Sequence, residues 1–259
     1  MSRVRRITYQ ASILGGDYEM TADHAPAPGA RWRIIAVPGT PSQPHMFSRF
    51  LRLAPQDLDV MAINRAGYGG PFYGPGRRAP VRSFEDQISA LAPMIEADER
   101  PVIILGVSYG GALSLKAAID FPDQIRGAMT VAALVTEPRA WVRAILPAGD
   151  WPLIRTVLPG YLGNARAEIA GRRSQIADVF GQLKNFDRPV TIMHGNVDWL
   201  VAQKDASVLR GYFADDADVY HCHINGGTHY LELLNARTVY AQLRGLIARA
   251  ELNDGRRKH

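Results

Sequence analysis

The chain has 259 residues, 47% of them hydrophobic and 21% charged, with a formal net charge of +5. Those proportions are ordinary for a soluble globular protein, and the length suits one α/β domain with a large core. Much of the basic excess sits in Arg3, Arg5 and Arg6 and in Arg256, Arg257 and Lys258, read here as solvated, frayed ends. No nucleic-acid-reading fold accompanies that charge, so a nucleic-acid partner is excluded.

In chain order, Arg3 to Ala11 and Asp17 to Ala22 read as a hairpin turning at Gly15-Gly16. Trp32–Val37 is an apolar strand, Gln43 to Leu53 a helix, and Leu58–Ile63 the next strand. A Gly/Pro-rich loop, Asn64 to Pro80, carries Tyr68, Phe72 and Tyr73. Ser83 is placed to cap a helix running to about Ala97, with Glu85 and Asp86 favouring its first turn. Pro101 to Leu105 is a buried strand, and a small-residue helix follows from Gly111. Arg126 to Val135 reads as another strand. The stretch Thr136 to Asp187 breaks the alternation, with Trp141, Trp151, three prolines (Pro147, Pro152, Pro159) and a helix-like patch from Arg166 to Leu183. Arg188 to Met193 and Asp218 to Ile224 are the last strands, and a helix begins near Tyr230. Strands alternating with helices predict a mostly parallel central sheet flanked by helices, with ligands gathering at the strands' carboxyl edge.

The chemistry concentrates at three points of that edge. Gly106-Val107-Ser108-Tyr109-Gly110 lies between a strand and a helix. That context puts Ser108 at the tip of a strained turn, its hydroxyl exposed and the amides opening the helix beside it. A serine hydroxyl needs a base, and the base an orienting acid. His229, in the loop Asn225-Gly226-Gly227-Thr228-His229, is the expected base. Asp198, ending the turn His194-Gly195-Asn196-Val197-Asp198, is the expected acid, with Glu137 the runner-up. An oxyanion needs backbone donors, and Tyr109, following the serine, supplies one N–H. Thr40 in the Gly39-Thr40 turn is chosen for the other, because Pro38 and Pro41 have no N–H.

These residues carry a resemblance to the α/β-hydrolase fold family over most of the chain. Ala36-Val37-Pro38-Gly39-Thr40-Pro41 resembles its oxyanion-hole loop, with Pro38 where relatives often have His. Asn64-Arg65-Ala66-Gly67-Tyr68-Gly69 resembles its loop after the fourth strand, with Asn64 for the usual Asp. The resemblance implies an α/β-hydrolase core at 1–135 and 188–259 and a short helical lid at 136–187. It also implies a serine hydrolase of carboxylesterase type, cleaving an ester, thioester or similar small acyl substrate through an acyl-enzyme. Rival expectations are a non-catalytic receptor of the same fold, a carbon–carbon bond hydrolase, an aminopeptidase or a cofactor-free haloperoxidase-like enzyme.

Met46, Phe47, Phe72, Tyr73, Trp141 and Trp151 are expected to wall an apolar substrate pocket, with Trp141 or Trp151 above Ser108. Arg77, Arg78, Arg139 and Arg143 are candidate anchors for an anionic group, against the plainer reading of solvated side chains. No cofactor is called for. In His221-Cys222-His223 only the two histidines share a strand face, too few ligands for a metal, so none is expected. Cys222 is the single cysteine, which rules out an intrachain disulfide. The basic start has no apolar segment behind it, and no run is long enough to span a membrane. The expected location is cytoplasmic.

Overall fold

The structure, a computed structural model, describes residues 3–42, 44–68, 81–145 and 160–257. Its strands are β1 (Arg5–Ile13), β2 (Gly16–Ala25), β3 (Trp32–Val37), β4 (Leu58–Ile63), β5 (Val102–Val107), β6 (Ile125–Val131), β7 (Val190–Gly195) and β8 (Val219–Ile224). They form one sheet in the order β1-β2-β4-β3-β5-β6-β7-β8. The β1–β2 and β2–β4 pairs are antiparallel, and every pair from β4 through β8 is parallel. The carboxyl ends of six strands therefore share one edge, as the alternation predicts.

The helices are α1 (Ser48–Arg52), α2 (Phe84–Ser89), α3 (Ala92–Ile95), α4 (Tyr109–Asp120), α5 (Ala140–Ile145), α6 (Gly160–Gln182), α7 (Lys204–Arg210), α8 (Leu231–Leu234) and α9 (Ala236–Arg257). Strands β3, β4, β5 and β7 are buried along their whole length, because helices cover both faces of the parallel sheet. Successive side chains part accordingly. Ile35 and Ile104 pack with α2, α4 and α6, whereas Ile34 and Ile103 pack with α1 and α9.

Several expected boundaries move for identifiable reasons. The helix capped at Ser83, whose Oγ accepts the Asp86 N–H at 3.4 Å, does not run through to Ala97. It stops at Ser89 and restarts at Ala92, because Pro93 has no N–H and would clash with the Ser89 carbonyl. The segment expected as a helix from Gln43 is a 3-10 turn, Pro44–Phe47, followed by the short α1. The run to Val135 is not all strand: β6 ends at Val131, and Ala132 takes φ 48°. Residues 132–135 are buried instead as irregular chain, with the Leu134 N–H donating to the Ser108 carbonyl at 3.2 Å and the Val135 N–H to Asp205 Oδ2 at 2.9 Å. Periodicity cannot separate such a run from a core strand.

Most of the basic residues near the ends are solvated but held in regular elements rather than frayed, and Lys258 lies outside the described residues. Arg5 and Arg6 lie in β1, where Arg6 pairs with Asp23 at 2.8 Å, and Arg256 lies in α9. Arg3 donates to the Ala54 and Pro55 carbonyls. The patch beginning at Arg166 is part of α6, which starts at Gly160 and plays two roles. Ile176, Val179 and Phe180 join the main core, whereas Asn164, Glu168 and Arg172, four residues apart, form a buried polar stripe. Among the described residues no helix is long and apolar enough to cross a membrane.

Candidate active site

Ser108 joins β5 to α4 with φ 55° and ψ −122°, a left-handed conformation that a side chain adopts only when its surroundings enforce it. They do so here. The Ser108 N–H donates to the Val131 carbonyl at 2.9 Å, and its carbonyl accepts from Gly111 at 2.9 Å. A Cβ on Gly106 would stand 2.1 Å from the Gly110 carbonyl oxygen, so only glycine lets strand and helix approach this closely. The Tyr109 N–H opens α4, among the first helical amides that have no partner within a helix. The loop after β3 lies against the same residue, since a Cβ on Gly39 would come within 2.9 Å of the Ser108 Cβ.

Asp198 and His229 meet as expected. Both are buried, and His229 Nδ1 lies 2.8 Å from Asp198 Oδ2. With Nδ1–H directed at a carboxylate, Nε2 is the nitrogen left to exchange a proton. The other carboxylate oxygen, Oδ1, accepts the Leu200 and Val201 N–H groups at 2.8 and 2.9 Å. Burial pushes the Asp198 carboxyl up, but the nearby His194 imidazole at 3.2 Å and hydrogen bonds from His229 and the Val201 N–H outweigh it and hold the group well below the usual carboxylate range. No hydrogen bond joins Ser108 Oγ to His229 among the described residues.

Glu137 is not the acid partner. It pairs with Arg172 at 2.8 Å and Arg173 at 2.7 Å, and those pairs hold its carboxyl below the usual range despite its partial burial. Thr40 lies in the turn beside Ser108, and its Oγ1 is 2.7 Å from the Tyr68 hydroxyl. Phe47 is a core residue, 1% exposed and packed edge-on against Phe50 at 5.9 Å, and so is no exposed pocket wall. Met46 is half-buried. Trp141, on α5, is 45% exposed and stacks at 5.5 Å on Trp199, which meets Tyr230, which in turn meets the His229 ring at 5.5 Å. A run of ring contacts through Trp199 and Tyr230 thus links Trp141 to His229. Trp151, Phe72, Tyr73, Arg77 and Arg78 lie outside the described residues. Arg139 is held to the Asp198 carbonyl at 3.1 Å, and Arg143 is exposed.

Four further residues bear on the site. His194 Nε2 lies 3.2 Å from the same Asp198 Oδ2, less well aligned than His229. Its signal was present in the acid turn, four residues before Asp198. Glu232 is buried beyond His229 with Oε2 unpartnered, and burial, aided by the nearby Asp198 charge, pushes its carboxyl up to about 8. Arg65 and Glu168 form a buried ion pair at 2.7 Å behind the Gly39 turn. Nothing in the pattern of α6 marks Glu168, because its partner is remote in sequence. The rings of His221 and His223 lie 4.1 Å apart, but no cluster of three or more potential metal ligands occurs among the described residues.

A strained serine between strand and helix, with a buried Asp–His pair on the same edge of a mostly parallel sheet, is the architecture of one class. The chain belongs to the alpha/beta hydrolase family, whose family profile matches residues 34–247. Among curated proteins it is similar to lipase LipV of Mycobacterium tuberculosis (strain ATCC 25618 / H37Rv), 24% identical over 154 residues, 59% of this chain and 54% of the lipase. The chain thus matches only about half the length of that relative. Among solved structures it is similar to a thermophilic esterase from Thermogutta terrifontis, with a TM-score of 0.70, 14% identity, and 95% and 99% of the two chains covered. It is also similar to the peroxisomal alpha-beta-hydrolase Lpx1 from Saccharomyces cerevisiae, with a TM-score of 0.67, 13% identity, and 98% and 90% covered. At such identities the likeness is one of fold.

Proposed function

We propose that the protein is a serine hydrolase of carboxylesterase type, cleaving an ester or similar small acyl substrate through an acyl-enzyme. The observation that carries this reading is the strained Ser108 elbow sharing a sheet edge with the 2.8 Å Asp198–His229 pair. Ser108 Oγ attacks the acyl carbon while His229 Nε2 takes its proton. Asp198 fixes the imidazole with Nδ1–H inward and stabilises the imidazolium as it forms. The Tyr109 and Thr40 N–H groups receive the developing oxyanion, each contributing about 3 kcal/mol in comparable sites. His229 returns the proton to the leaving group, and water then repeats the sequence on the acyl-enzyme. Residues 136–187 form an insertion on a core formed by 1–135 and 188–259; its first half acts as the lid, whereas Ile176, Val179 and Phe180 of α6 pack into the main core.

The relatives named lipase and esterase support an ester as the bond cleaved. The deciding experiment is fluorophosphonate labelling with peptide mapping, followed by turnover of a short-chain p-nitrophenyl ester. Labelling at Ser108 with steady-state turnover is expected. Labelling without turnover on any ester or thioester would favour a ligand-binding role, and no labelling would remove the nucleophile assignment.

A further inference from the structure

The Arg65 guanidinium has an unusual set of acceptors. Its Nε donates to the Pro38 carbonyl at 2.9 Å, and Nη2 donates to the Gly39 carbonyl at 2.8 Å. Nη1 and Nη2 also reach Glu168 Oε1 and Oε2 at 2.7 and 2.9 Å, a bidentate fork. The Tyr68 hydroxyl donates to Glu168 Oε2 at 2.8 Å, so in the 2.7 Å contact between them Thr40 Oγ1 donates to Tyr68. Gln87 adds a donor to Glu168 at 3.3 Å. Arg65 and Glu168 are both 1% exposed. Burial alone would make the guanidinium less basic, but the Glu168 charge and hydrogen bonds outweigh it and raise its pKa further.

The direction of these bonds has a consequence at Ser108. In a trans peptide the C=O and the following N–H point in opposite directions. Holding the Pro38 carbonyl toward Arg65 therefore turns the Gly39 N–H away from it, and holding the Gly39 carbonyl does the same for the Thr40 N–H. The turn so oriented is the one that abuts the Ser108 Cβ. We propose that the Arg65–Glu168 pair positions the oxyanion loop, aiming the Gly39 and Thr40 amides at the reacting carbonyl, so that helix α6 is a working support of the site. The inference rests on the hydrolase reading above. A buried ion pair is weak evidence for stability in itself, since apolar replacements of such pairs are often neutral or better. What an apolar pair cannot do is fix two carbonyls in direction, and a lysine could not replace the planar fork that does so. Arg65 and Glu168 touch no reacting atom and are positioning residues.

The test compares wild type, Glu168→Gln and Tyr68→Phe in labelling of Ser108 by a fluorophosphonate, kcat and KM for a short-chain p-nitrophenyl ester, and Ki for an alkyl trifluoromethyl ketone. The ketone forms a tetrahedral oxyanion adduct with the serine. All rates are taken well below each variant's Tm and normalised to folded protein. Glu168→Gln should lower kcat about 10- to 100-fold with KM little changed, and raise Ki in step with the lost kcat/KM. Tyr68→Phe, which removes one hydroxyl and leaves the ion pair, should do the same about 3- to 10-fold, and decides the matter if Glu168→Gln does not fold. Wild-type kcat and Ki in the folded variants, or activity lost only in proportion to unfolded protein, would overturn the proposal while leaving the hydrolase reading intact. A wild type that neither labels nor turns over ester would overturn both.

Discussion

Asp198 and His229 stand on neighbouring strand ends whose loops are zipped together, whereas the Gly39 turn beside Ser108 depends on a side chain from a distant helix. On the acid–base side, Asn196 Nδ2 donates to Asn225 Oδ1 at 2.8 Å, the Gly226 N–H donates to Asn196 Oδ1 at 2.8 Å, and the Val197 N–H donates to the Gly227 carbonyl at 3.0 Å. These contacts link the ends of the adjacent strands β7 and β8, so the placement of the pair follows from the register of those two strands. On the nucleophile side, the elbow is local but the loop opposite it is steered through Arg65 by Glu168, 103 residues further along the chain. One half of the site is a property of two turns, and the other is a property of how α6 docks.

The harshest way to break the nucleophile half is Ser108→Ala. On the proposed mechanism it lowers kcat about 10⁶-fold, the usual cost of losing a triad nucleophile. It leaves the fold intact, and replacing the side chain does not touch the backbone bonds that hold the elbow. Turnover above a small fraction of wild type, with contamination excluded, would refute the assignment.

The acid–base half is broken next most severely by Asp198→Asn. An amide in place of Oδ2 can turn its N–H toward the imidazole and select the wrong tautomer, which costs about 10⁴-fold in comparable sites. Glu137→Gln is the matched control, expected to hold turnover near wild type because Glu137 faces Arg172 and Arg173. Steady-state rates for both variants against one ester separate the two carboxylates, and a larger loss in Glu137→Gln would reverse the roles.

The same contrast explains what could be read from the sequence. Ser108 and Asp198 each follow a strand whose apolar run is plain, and His229 follows one that shows by its alternation, so position along the chain implied position on the sheet edge. The limits of β3 and β4 were legible for the same reason. The break at Pro93 was legible in principle, since proline acts locally, but a helix-favouring composition on both sides masked it. Phe47 and Trp141 both read as pocket wall on aromatic character, yet one is core and the other is nearly half exposed. Composition says that an aromatic ring will be buried against something and leaves open what that is. The Arg65–Glu168 pair was beyond reach, because a charged residue on a long helix carries no sign of being the one turned inward.

A gentler probe of the acid–base half is Glu232→Gln. Burial raises the folded-state pKa of Glu232 from 4.5 to about 8. Below about pH 4.5 both folded and unfolded chains carry the proton, and nothing is lost. As pH rises from there toward 8, the unfolded chain releases its proton while the folded one keeps it, so stability falls by up to about 1.4 kcal/mol per pH unit. Glutamine removes that dependence. The variant should therefore gain stability over wild type at pH 8, by a few kcal/mol at most, and lose the advantage near pH 4.5. Urea denaturation at the two pH values tests this, and equal differences at both would mean that Glu232 titrates normally.

The smallest expected effect lies at two exposed tryptophans. Trp141 donates its Nε1–H to the Trp199 carbonyl at 3.0 Å and stacks on the Trp199 ring, and both indoles are nearly half exposed. Neither is anchored in the core, so truncation should cost little stability. Trp199 directly follows Asp198 and meets Tyr230 edge-on at 6.3 Å, so the rings form a ledge leading to His229. On the proposed mechanism His229 protonates the leaving group, and an aromatic leaving group would lie along this ledge. Ring contacts of this kind are worth about 0.5–1.5 kcal/mol. Trp141→Ala and Trp199→Ala should therefore reduce kcat/KM for aryl esters by about 2- to 10-fold relative to alkyl esters of the same acid. Varying the acyl chain with the leaving group fixed should show a smaller change. If acyl-chain preference shifts more than leaving-group preference, the ledge faces the acyl side and the contrast drawn between the two halves of the site needs redrawing there.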